Sequence, residues 1–282
     1  MRIQVDDDRR AWQFFAVAFA FSWAFWIPNA LAANGVALPE GVANFLAGPL
    51  NPAAFGPTFA AFLLTLLYQG GRGVVQLLKR GVDFRFEKVW LAAILLLPLV
   101  IFGGSVFAAI LAGVRPFDPS VIGNPPFALI AFFVILFTAG PLQEEFGWRG
   151  YALPHLQSRF SALNSSLIVG FFWWLWHLPA VFIPGRFMAD SLPVFLALAA
   201  VIMLASVLFT WVYNNTNGSV LAALLMHAAM NWSIWIAMPS MRMDLPTAAF
   251  MIGFLAVAVL IVVRGWGATR LRRAWVRAEM SA

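Results

Sequence analysis

The sequence predicts an all-α, polytopic membrane protein of about eight spanning helices, with a polar site between the fourth, fifth and seventh. Three observations lead there. Of 282 residues, 62% are hydrophobic and only 11% charged, whereas a soluble domain is nearer half apolar and a quarter charged. The apolar residues fall in eight runs (11–32, 47–68, 89–113, 127–152, 162–183, 193–213, 218–238 and 246–264), each close to the roughly 20 residues that a spanning helix needs. The cations gather at alternate run ends. Counted from an inside N-terminus, 15 of the 18 Lys and Arg are inside, and only Arg115, Arg186 and Arg242 are outside. That bias puts both termini in the cytoplasm of a multi-pass protein of the cell (plasma) membrane. The runs consume most of the chain, so residues 1–282 read as a single membrane domain. The alternating polarity of membrane β-strands is missing.

The net charge of +6 is thereby a matter of topology and implies no nucleic-acid partner. The chain has no cysteine, which excludes a thiol nucleophile, disulfides and thiolate metal sites.

Taken in order, the first run is expected to be a retained span. "NALAANG" at 29–35 offers small residues for a signal peptidase, but the apolar stretch before it is long and "DDDRR" leaves no net positive n-region. The second run carries Pro49, Pro52 and Pro57, so its start should be irregular, which membranes tolerate where protein or a wet cavity covers it. Residues 70–88, "GGRGVVQLLKRGVDFRFEK", interleave cations with apolar residues. They read as a short helix on the inner surface or as a solvated loop that enforces topology. The tail "TRLRRAWVRAEM" has the same two readings, of which association with anionic membrane lipid is preferred. Thirteen tryptophans suit interfacial anchoring and packing.

The fourth run closes on "QEEFGWRGY" (143–151), the fifth contains "FFWWLWH" (171–177), and the seventh contains "LLMHAAMNW" (224–232). Ionisable groups within spans usually face the bundle interior or a wet cavity, and mark function. In a helix, Glu145 and Arg149 are at i and i+4 and pair; Glu144 points about 100° away and stays free to act as a general base. The bland alternative is an interfacial ion pair. His177 precedes Pro179 and reads equally well as a hydrogen-bonded core residue. His227 and Asn231 share one helix face, where polar residues also serve as plain interhelical glue. His155, beside Pro154, reads as a surface residue. What raises the cluster above these alternatives is depth. At about 1.5 Å per residue, Glu144, His177, His227 and Asn231 all fall within about 10 Å of the bilayer centre. Buried polar groups need partners, and these can serve one another. Glu with His can deprotonate a water; His with Asn can donate to an oxyanion. Glu144, His177 and His227 can alternatively hold Zn²⁺ with an open water position, although no H-E-x-x-H signature is present. The preferred reading requires no cofactor.

At these residues the chain resembles a known family. "EEFGWR" (144–149) fits E-E-x-x-x-R, "WWLWH" (173–177) fits a second motif normally written F-x-x-x-H, and "HAAMN" (227–231) fits H-x-x-x-N. In this order they are similar to the CAAX prenyl protease and bacteriocin-processing family of intramembrane proteases, with the motif-bearing core at about 127–238. The resemblance implies Glu144 and His177 as the water-activating pair, His227 and Asn231 as oxyanion donors, and Glu145 and Arg149 as support. Trp173 stands where the family has Phe; the expectation is altered packing around His177 and unchanged chemistry. The substrate implied is a peptide or protein at the membrane. Two rivals use the same cluster: a proton-coupled transporter, which would usually show paired repeats, and a non-catalytic membrane scaffold.

Overall fold

A computed structural model describes residues 8–49, 51–120, 123–189 and 191–272. Among them every regular element is helical. The chain opens with α1 (Arg9–Ala33), the short α2 (Glu40–Ala47) and α3 (Gly56–Arg80). The proline-rich start of the second run is indeed irregular. A 3₁₀ turn at Pro52–Phe55 precedes α3, pinned by Ser22 Oγ donating to Ala53 O (2.7 Å) and Asn51 Nδ2 donating to Leu46 O (2.6 Å). The run extends further than its hydropathy indicates. Helix resumes after a non-helical Gly70 (φ 65°, ψ −168°) and continues to Arg80, so the first half of the basic 70–88 stretch is helix, not loop. A left-handed φ costs glycine little, which is why the break falls there.

The third run divides into α4 (Val89–Pro98) and α5 (Gly104–Leu111) around a π turn at Leu99–Gly103. The fourth is broken. Helix α6 (Pro125–Thr138) stops, Ala139 and Gly140 leave helical geometry, and α7 (Pro141–Gly147) restarts at a bend of 44°. Pro141 cannot continue a helix but suits its first position, and Gly140 takes φ 108°. A π turn at Trp148–Ala152 leads into α8 (Leu153–Leu156). The remaining spans are α9 (Ala162–Trp176), α10 (Leu192–Asn215), α11 (Val220–Ala237) and α12 (Leu245–Trp266). Among the described residues seven helices are long and apolar enough to cross a membrane, and the broken α6–α8 pair, counted as one span, makes eight.

Helix α11 lies at the centre, against α4, α5, α6, α7 and α10. Its buried Ala222, Ala223, Ala228 and Ala229 permit this crowding, because without a hydrophobic drive between helices association depends on close packing of small residues. Gly147 and Gly170 do the same elsewhere: a Cβ on either would come within 2.5 Å of Pro57 O or 2.7 Å of Met203 Cα. His155 is a correction to the sequence reading. It is buried and meets the Tyr151 ring edge-on at 4.5 Å, because the π turn rotates this stretch inward. The tail beyond Arg272 lies outside the described residues.

Candidate active site

The break at Ala139–Gly140 places the start of a helix inside the bundle. Glu144 stands in the first turn of α7, where backbone N–H groups have no helical partner and favour negative charge. Gln143 Oε1 accepts from Gly140 N–H (3.0 Å), closing that end. Glu144, Glu145 and Arg149 are all buried.

Glu145 and Arg149 pair as their spacing requires, Nη1 to Oε1 at 2.9 Å. Burying a guanidinium needs more than one carboxylate. Here Arg149 is also sandwiched, its Cζ lying 4.6 Å from the Trp173 ring centre and 4.2 Å from that of Phe209. Cation–π attraction is strongest where water is excluded. The same Glu145 Oε1 meets His227 Nδ1 at 2.8 Å. One carboxylate thus serves both residues.

Glu144 is not left alone, as its position on the helix face alone would have it. Its Oε2 accepts from the indole N–H of Trp148 (3.2 Å) and of Trp173 (2.5 Å). The Trp173 indole also meets His227 edge-on at 5.2 Å. The expectation that Trp173 alters only the packing around His177 is therefore corrected. Its side chain touches the carboxylate and His227, and it reaches His177 through its backbone carbonyl, 2.8 Å from His177 Nδ1. A phenylalanine has no N–H to give. The signal was present in the sequence, since an indole differs from a phenyl ring by one donor; which acceptor it finds was not.

Glu144, His177, His227, Asn231 and Trp173 line one cavity of about 1230 Å³. No direct hydrogen bond joins Glu144 to His177, whose ring stacks on Phe187 at 4.6 Å. Asn231 Nδ2 donates to Ala139 O at the helix break (2.8 Å), leaving one amide hydrogen. Gly140 keeps the centre open: a Cβ there would lie 3.0 Å from Glu144 Oε1 and 3.2 Å from His227 Nε2. An atom in that space would touch both the carboxylate and the imidazole. The cavity also takes in Asn34, Asn51, Arg186 and Arg242, so it opens at the end of the bundle opposite the main basic one.

Zinc can be tested against these side chains. Among the described residues no three His, Cys, Asp or Glu are gathered to hold a metal ion, while the Glu145 carboxylate on His227 Nδ1 is the kind of partner that a metal-bound histidine has on its other nitrogen.

Fold and site together define an integral membrane protein of all-α build, with a buried carboxylate–imidazole cluster at a broken span. Residues 126–233 match the family model described as Type II CAAX prenyl endopeptidase Rce1-like. Over 150 residues the chain is 29% identical to CAAX prenyl protease 2 of Methanococcus maripaludis, a match that covers 49% of this chain and 51% of that protein. The chain thus spans about half the length of this curated relative. Through its motif-bearing segment the chain is similar to the CAAX prenyl protease family.

Proposed function

We propose that this protein is an intramembrane endopeptidase that hydrolyses a peptide bond of a membrane-associated substrate with a water activated by Glu144 and His177. The observation that carries the reading is that the two cavity histidines have different Nδ1 partners, and so suit different tasks. His177 Nδ1 faces a carbonyl, so Nδ1 carries the proton and Nε2 keeps its lone pair. A water held between that lone pair and the Glu144 carboxylate loses its proton to Glu144 as its oxygen attacks the substrate carbonyl. His227 Nδ1 faces the Glu145 carboxylate. With that proton committed, Nε2 donates only as imidazolium. His227 and the free Asn231 hydrogen then donate to the oxyanion, and Glu144 returns its proton to the leaving amine. Glu145 and Arg149 hold this arrangement, and no metal enters it.

The basic ends are proposed to be cytoplasmic, which turns the cavity mouth to the other face and brings substrate in from there. The relative's printed name makes prenylated peptides the first substrates to test. Purified protein, reconstituted in lipid, is incubated with farnesylated peptides and with unmodified membrane-inserted peptides, and products are read by mass spectrometry. Defined cleavage that vanishes in Glu144→Gln is the expected result. Cleavage unchanged in that variant defeats the mechanism. Absence of any product, with proton-coupled flux across the liposome, would favour the transporter.

A further inference from the structure

The second large cavity is at the opposite end of the bundle and takes no part in the proposed chemistry. It is a cleft of about 1670 Å³ whose lining includes Arg72, Lys79, Arg80, Arg85, Arg270 and Arg272, with Asp83 as its one carboxylate. The cations come from two stretches almost 200 positions apart in the sequence, the helical segment after Gly70 with its following turn, and the segment after α12. A topological charge bias requires cations near the membrane, but it does not require them to converge on one concavity.

The cleft is built. Arg80 lies half-buried against it, donating to Gly150 O (2.8 Å), Gly218 O (3.0 Å) and the Tyr213 hydroxyl. All three acceptors are neutral, so this guanidinium is oriented without a counter-charge. Asp83 cannot supply one, because Arg85 bonds it at 2.9 Å. That hydrogen bond holds the Asp83 carboxyl down at about 2. The side chains of Arg72, Lys79 and Arg270 make no hydrogen bond or ion pair among the described residues. The segment bearing Arg270 and Arg272 is strapped down: Asn214 and Asn215 donate to the carbonyls of Arg270 (2.9 Å) and Leu271 (2.8 Å), and Ala162 N–H donates to Thr269 O (2.8 Å). Cations gathered around a concavity whose one carboxylate is already paired bind anions, and phosphate matches guanidinium forks best. Val75, Leu78, Val82 and Phe84, on the same stretch, are all exposed, an apolar border suited to acyl chains beside the headgroup.

We infer that this cleft is a binding site for a phosphate-bearing anion, supplied by the headgroup of an anionic phospholipid. It is independent of the protease reading and does not need an active enzyme.

Native mass spectrometry of the detergent-purified chain tests it, with phosphatidylglycerol, phosphatidylcholine or inorganic phosphate added singly. The wild type should retain one phosphatidylglycerol at least about tenfold more tightly than phosphatidylcholine, since the zwitterion presents no net charge to the cluster. The triple variant Arg72→Gln, Lys79→Gln, Arg270→Gln should lose that preference, with its thermal unfolding unchanged because these side chains hold nothing in the fold. Arg186→Gln with Arg242→Gln, at the other end, should keep it. Equal retention of the two lipids by the wild type, or full retention by the triple variant, overturns the site. Displacement of phosphatidylglycerol by millimolar inorganic phosphate overturns the lipid as the source and assigns the cleft to a soluble phosphate compound.

Discussion

Glu144 receives two indole N–H bonds on a single oxygen, from Trp148 four residues on and Trp173 in the next span. Bonds to a carboxylate are worth roughly 1.5–3 kcal/mol each when buried. Trp173→Phe keeps the ring and removes only the donor. It should lower kcat about tenfold to a hundredfold on a verified substrate while leaving KM and unfolding temperature near the wild type. A variant with wild-type kcat would assign Trp173 to packing alone. Asn231→Ala should cost about 10²–10³ in rate, the scale of one oxyanion donor, measured as kcat against an unchanged KM. Gly140→Ala tests the central space from the other side. Its Cβ would occupy the gap between Glu144 and His227, at a φ of 108° that alanine resists. Loss of activity should therefore exceed any loss of stability, compared by turnover and melting of the same sample.

At the scale of the helix, the broken fourth span is the device that makes the site. Continuous helix through 139–141 would leave no N-terminal turn at the depth of Glu144 and no free carbonyl at Ala139 for Asn231. The new segment must then sit tightly against α3, and Gly147 is where it does so. Gly147→Ala would press a Cβ within 2.5 Å of Pro57 O, and overpacking of this kind costs about 1–3 kcal/mol. A fall in unfolding temperature, with residual activity in the folded fraction, is the expected outcome; an unchanged melt would mean that the two segments separate freely. Outside the spans, the Asp83–Arg85 contact contributes stability above the ordinary aspartate range near 3.8 and loses it as pH falls towards 2. The turn after α3 should accordingly loosen only in that acid window, which hydrogen exchange of residues 81–86 would register.

For the molecule as a whole, the two cavities at opposite ends make orientation a functional question. The chain lacks cysteine, so single replacements report cleanly. Glu40→Cys should react with an impermeant thiol reagent applied to intact cells, and Leu78→Cys only after the membrane is opened. The reverse pattern would turn the Glu144 cavity towards the cytoplasm and the basic cleft away from it.

Much of this protein can be read directly from its amino-acid order. Spans follow from hydropathy and the Glu145–Arg149 pair from helical spacing, because each depends on residues close along the chain or on the membrane as a uniform solvent. The convergence of Glu144, His177, His227 and Asn231 is legible too, whereas the breaks at Gly70 and Pro141 interrupt stretches that hydropathy alone does not divide. The partners of those four residues are not legible either. Glu145 meets His227 across 82 positions and Glu144 meets Trp173 across 29, and the basic cleft joins segments almost 200 apart. In lipid, apolar faces are interchangeable and periodicity does not say which helix meets which. That choice rests on the alanines of α11 and the glycines at 147 and 170, which let particular backbones approach. The resulting approach gave the two histidines different Nδ1 partners and left a space beside Glu144 the size of a side-chain carbon.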